Sequence, residues 1–152
     1  FSKDKTPYNT WLGFAFWQGS PKKKGMPAYM FGLGTHNNGV HVGLHGFDRP
    51  LLAAYRAAVA DELRGARLES AIAAVEQWAG YQVGGLHYKR VPRGYASDHP
   101  RAELLRYAGL FATAPTLDDS VVCSAELVET VYAHCEKMRP IQQWLVDLLH
   151  TL

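Results

Sequence analysis

The runs Ala28-Tyr29-Met30-Phe31-Gly32-Leu33-Gly34-Thr35 and Val40-His41-Val42-Gly43-Leu44-His45-Gly46-Phe47, joined by His36-Asn37-Asn38-Gly39, decide the fold. Apolar residues alternate with glycines and polar groups in both, which is the pattern of two half-buried strands. Asn-Gly suits a two-residue type I′ turn, and a turn at Asn38-Gly39 sets His36 opposite His41, Gly34 opposite Gly43 and Gly32 opposite His45. Tyr29, Phe31, Leu33, Val40, Val42 and Leu44 then share the core face. Met30, the glycines and the histidines share the other, where missing side chains let a ligand or backbone approach closely. His36 and His41 as cross-strand neighbours raise a metal reading, but no third ligand follows at metal-site spacing, so no metal is expected.

Upstream, Trp11-Leu12-Gly13-Phe14-Ala15-Phe16-Trp17 is apolar throughout and has no decisive period; it is taken as a buried short helix or turn. Gly19-Ser20-Pro21-Lys22-Lys23-Lys24-Gly25 is a solvated loop. Downstream, Asp48 and Pro50 open a helix striped by Leu51, Tyr55, Val59 and Leu63 and closed by Gly65. A second helix runs from about Arg67 to Ala79, burying Leu68, Ile72, Val75 and Trp78, with Gly80 beyond its end. Tyr81 to Val83 and Leu86 to Arg90 read as two short strands around Gly84-Gly85. Asp98 caps a helix from His99 to Tyr107, with Pro100 in its first turn, and Leu110 to Thr113 adds an edge strand. Asp118-Asp119 opens a long helix to Lys137 with Leu127, Val128, Val131 and Cys135 inward. Pro140 breaks it, and a last helix buries Ile141, Trp144, Leu145 and Leu148. Strands and helices do not alternate, so the class is α+β with a largely antiparallel sheet and a helical C-terminus, in a single domain over 1–152.

The chain has 152 residues, 47% hydrophobic and 20% charged, with a formal net charge of +2. That length can bury a real core, and so small a charge does not by itself imply nucleic acid. No apolar run approaches the ~20 residues of a membrane-spanning helix. The two cysteines, Cys123 and Cys135, lie twelve positions apart on the expected long helix. At ~1.5 Å per residue that is roughly 18 Å, beyond disulfide reach, so free thiols and a cytoplasmic location are expected.

The chemistry concentrates in Tyr88-Lys89-Arg90-Val91-Pro92-Arg93-Gly94-Tyr95-Ala96-Ser97-Asp98-His99-Pro100-Arg101. Turns require Pro and Gly, but they do not require four cations beside a carboxylate and an imidazole. Two stretches also resemble a known family. Phe1-Ser2-Lys3-Asp4-Lys5-Thr6-Pro7-Tyr8-Asn9-Thr10 matches its Phe-Ser-Lys-Asp-Lys-x-Pro-Tyr-x-Thr signature, and Lys89 to Tyr95 followed by Asp98-His99-Pro100 matches its second. The chain resembles the bacterial and fungal conserved hypothetical proteins grouped as domain of unknown function 2461, from Phe1 to about Leu149. Members commonly carry Lys where Asn9 stands and Leu where Tyr88 stands. They also carry a helical segment and an Arg-Asp-x-Arg run before the residue matching Phe1, so the resemblance implies that this chain lacks the family's N-terminal segment. The resemblance supplies no catalytic residues.

Asp4, Lys5, Tyr8, Lys89, Arg90, Arg93, Asp98 and Arg101 are therefore the candidate ligand-binding residues, with His99, at a helix start, as candidate base. If the two signatures meet, they form a cleft with cations in excess, suited to phosphate or carboxylate. The first reading is an enzyme acting on a small anionic molecule; the alternative is a non-catalytic binding or protein-interaction domain. Nucleic-acid binding through the lysine loop and Trp11, Trp17 and Tyr95 ranks below both, because no contiguous basic stripe exists. No nucleophile elbow, phosphate loop or zinc spacing is present, and no cofactor is expected. Ion pairing of Asp4 with Arg90 or Arg93 would be the purely structural explanation.

Overall fold

A computed structural model describes residues 9–19, 25–34 and 38–152. Five antiparallel strands, β1 (Trp11–Phe16), β2 (Ala28–Gly34), β3 (Gly39–Leu44), β4 (Gln82–Leu86) and β5 (Tyr107–Thr113), form one sheet in the order β1-β2-β3-β5-β4. Helices α1 (Arg49–Ala60) and α2 (Glu62–Glu76) follow β3. A short helix α3 (Asp119–Val122) and the long α4 (Leu127–Leu149) follow β5. The class is α+β, as the sequence predicts. Helix α4 packs across β2, β3 and β5, and α2 packs beside β4 and α4. Between them lies a core of Val40, Val42, Leu110 and Ala112 from the sheet and Leu68, Val75, Met138, Ile141 and Leu145 from the helices.

The hairpin keeps its faces and changes its register. Gly32 pairs with Gly39, Phe31 with Val40, Met30 with His41 and Tyr29 with Val42. Gly32 was expected opposite His45, so pairing is displaced by six residues. An even displacement preserves which side chains share a face. Asn38 explains the shift. It is buried, not exposed at a turn: its Oδ1 accepts from the Gly34 N–H (3.1 Å), its Nδ2 donates to Asp119 Oδ1 (2.9 Å), and its carbonyl accepts from the Leu117 N–H (2.8 Å). His36 lies outside the described residues, as does its expected pairing with His41.

Several local expectations yield to tertiary packing. Trp11–Phe16 is an edge strand and neither helix nor core. Asp48 caps α1 through the Leu51 N–H (3.0 Å), but α1 ends at Ala60. Asp61 caps α2 through the Arg64 N–H (2.8 Å), leaving Gly65 inside that helix. A side chain at Gly65 would collide with the Val59 carbonyl and the Arg101 guanidinium, so the tight α1–α2 corner needs a glycine there. Leu63 and Trp78, expected inward, are exposed, as is Val128. The two strands expected around Gly84-Gly85 are one strand, β4, with a bulge between Gly84 and Leu86. β5 lies inside the sheet between β3 and β4, not at an edge.

No α-helix spans 99–107. The chain there makes turns and one 3-10 turn, Leu104–Arg106, before Tyr107 enters β5. The expected helix from Asp118 to Lys137 is interrupted after Val122 and restarts at Leu127, so the two cysteines do not share one helix; both are free thiols. Pro140 sits inside α4 and does not end it. The roughly 3 kcal/mol cost of an internal proline is opposed by burial of Ile141, Trp144, Leu145 and Leu148 on the following turns. Hydrogen bonds from Gln142 Nε2 to the Pro27 carbonyl (3.1 Å) and from Trp144 Nε1 to the Arg64 carbonyl (3.1 Å) hold the same segment.

Candidate functional site

The basic turn is a fixed loop with free charges. The N–H groups of His87 and Tyr88 donate to the Arg106 carbonyl (3.2 and 2.9 Å), and Arg106 Nε donates back to the Tyr88 carbonyl (2.9 Å). Val91, Tyr95 and Leu104 pack against the core, and Gly94 takes the turn at φ 93°. Lys89, Arg90, Arg93 and Asp98 are exposed, and among the described residues none of the four makes an ion pair or a side-chain hydrogen bond.

Two expected members of the site have other work. Arg101 Nε donates to Glu69 Oε2 (2.9 Å), and its other guanidinium nitrogens lie 3.4 Å from the carbonyls of Asp61 and Glu62. It straps the turn to the α1–α2 corner. Without a helix, Asp98 caps nothing and His99 loses the expected help of a helix N-terminus. The His99 Nδ1 accepts the Arg101 backbone N–H (2.9 Å), leaving Nε2 as its only unengaged ring nitrogen. Asp4, Lys5 and Tyr8 lie outside the described residues, and with them the meeting of the two signatures.

Two concave surfaces lie at the β1–β2 end of the sheet, one on each face. On the face away from the helices, Trp11 lays its indole over Gly13 and Gly32, where a side chain at Gly13 would collide with it and one at Gly32 would crowd it. Beside it His41, His45 and Met30 complete a pocket of about 330 Å³. His41 Nδ1 and Thr113 Oγ1 share a hydrogen bond of 3.1 Å. Burial first, and the neighbouring His45 second, hold the His41 imidazole below its ordinary pKa, so it is neutral at pH 7. Among the described residues no three metal-ligating side chains converge.

The other surface is larger and apolar. A groove of about 640 Å³ runs between Phe14, Phe16, Tyr29, Phe31 and Leu33 on the sheet and Leu127, Val131, Tyr132 and Cys135 on α4. Its floor holds a Phe14–Phe31 stack with centroids 6.1 Å apart. Burial and then Glu136 push the Cys135 thiol up to about 11, so it is a protonated apolar group and no nucleophile at neutral pH. This groove has no motif in the sequence, because Trp11–Phe16 is apolar throughout and reads as core; its one signal is that Leu12, Phe14 and Phe16 fall on one face once the segment is extended.

An antiparallel sheet packed on one face by helices, with an exposed cationic turn and an apolar groove, defines an α+β domain, and among the described residues no recognised catalytic constellation forms. A family profile described as "Conserved hypothetical protein (DUF2461)" matches residues 1–144, and the chain belongs to that family. Neither a curated protein nor a solved structure matches it.

Proposed function

We propose that this domain binds an anionic partner through Lys89, Arg90 and Arg93, and that it acts by binding and not by turnover. One observation carries the reading: three cations within five residues sit on a loop anchored at both ends, yet none is used to hold the loop. Fold-supporting cations look like Arg101, which is largely enclosed and paired. Exposed guanidinium groups in a fixed frame can form bidentate contacts with phosphate or carboxylate. Binding is favoured over catalysis because these cations line neither the groove nor the histidine pocket, and an open surface does not exclude water from a reacting centre.

Phosphate titration followed by backbone NMR tests this, with chloride at matched ionic strength as control. Resonances of 88–95 should shift saturably with phosphate, and Arg93→Ala should weaken the response while leaving thermal stability unchanged. Shifts equal in phosphate and chloride would leave only general screening and remove the proposal. A response intact in both Arg90→Ala and Arg93→Ala would move the site elsewhere.

A further inference from the structure

We infer that the outer edge of β1 and the adjoining apolar groove form the interface with a second copy of this chain. Among the described residues β1 pairs only with β2 and no described strand lies on its other edge, where one backbone donor, the Trp11 N–H, is already taken by Asn9 Oδ1 (3.1 Å). A strand is the complement for such an edge. The usual safeguards are absent: Trp-Leu-Gly-Phe-Ala-Phe holds no charge, no proline and no bulge. The opposite edge, β4, has them. It is five residues long, bulged at Gly84/Leu86, and runs into Lys89 and Arg90. Among the described residues the sheet is thus closed to pairing at β4 and open at β1.

The side chains agree with the backbone. Leu12 is 55% exposed, Phe14 43% and Phe16 64% on the groove side of β1, facing Val128 at 73% and Tyr132 at 62% on α4. Taking on the order of 200 Å² for each such side chain, they offer roughly 600 Å² of apolar surface per copy. A standard interface uses about 800 Å² per partner, and the strand edge itself supplies much of the rest. A small apolar ligand would fill the groove but leave the edge unpaired; a second β1 satisfies both. Antiparallel pairing of β1 with itself places the dyad perpendicular to the sheet, so both grooves lie on the same side and meet above the joined strands. The two α4 helices then close the combined apolar channel from above, and the sheet becomes ten-stranded.

Sedimentation equilibrium of the 152-residue chain across a wide concentration range tests this. The parent should fit a monomer–dimer equilibrium. Leu12→Lys and Phe16→Lys, at exposed positions on the strand, should each weaken association by roughly a hundredfold, as expected for central anchors of an interface. Val128→Glu, on the helix and away from strand pairing, should act in the same direction. Circular dichroism of each variant at monomeric concentration checks that the fold persists. A parent that stays monomeric while binding an apolar dye would assign the groove to another occupant and overturn the inference. So would open-ended assembly beyond the dimer, or a dimer indifferent to all three substitutions.

Discussion

The two edges of this sheet are opposites. At β4 the strand is short, bulged by Gly85 at φ 141°, and continued by a turn full of exposed cations. At β1 the strand is regular, uncharged and apolar on the face that floors the groove. Charge at the first edge carries the functional signal of the sequence, yet that edge is structurally finished. The second edge, silent in motif terms, is where surface remains that water does not suit. Charge marks where a chain can recognise polar partners, whereas unfilled apolar surface marks where it needs one.

The contrast can be broken most sharply at the strand between them. Leu110 in β5 is fully buried, and Leu110→Ala should cost about 3 kcal/mol through lost transfer energy and a residual cavity. Leu12→Ala on β1 should cost less than about 1 kcal/mol when measured at concentrations where the chain is monomeric, because over half of Leu12 is already in water. Urea midpoints of the two variants against the parent give the comparison. Equal losses would mean that β1 is built into the core after all, and that the groove is part of a closed interior.

The same contrast explains what could be read from sequence. Faces of the hairpin were legible because side chains alternate, and a register shift of six leaves alternation intact. Register was not, because it depends on Asn38 reaching Asp119, 81 positions away. Trp11–Phe16 carried no usable period since both faces lack charge, and only pairing with β2 makes it a strand. The basic turn was recognisable as a turn, but Arg93 and Arg101 look alike in sequence. What separates them is Glu69, 32 positions upstream. Asp98-His99-Pro100 is a fair local helix start, overridden because Tyr107 must enter β5. Pro140 is a fair local stop, overridden by the side chains buried after it.

A smaller effect should follow from the bulge that blunts β4. A side chain at Gly85 would run into the Gly109 carbonyl and the Tyr107 ring, and φ 141° is a backbone region that suits glycine. Gly85→Ala should therefore destabilise by about 1–3 kcal/mol. Chemical denaturation measures the loss, and sedimentation shows whether a straightened edge now associates. A variant as stable as the parent and equally monomeric at the β4 side would show that the bulge is incidental to closing this edge.

The smallest expected effect is a pH dependence that reaches both sides of the sheet. His41 lies on the open face, and His134 on α4 accepts or shares a 2.6 Å hydrogen bond with the Tyr81 hydroxyl. Both imidazoles are held below their ordinary pKa, His41 by burial and then His45, His134 by burial and then Lys137. In the unfolded chain each titrates near 6.5. The unfolded state therefore takes up protons first as pH falls, and stability that is complete above 6.5 declines below it until the native groups also protonate. For His134 the protonation has a structural counterpart, because a protonated Nδ1 can only donate to the Tyr81 oxygen, so the hydroxyl proton must turn elsewhere. Thermal melts from about pH 8 to about pH 5, above the range in which most carboxylates titrate, should show a plateau and then a decline. His134→Gln and His41→Gln should each flatten part of that decline. A melting temperature that rises as pH falls through this window would mean that the imidazoles are better charged in the native fold, reversing the assignment for both.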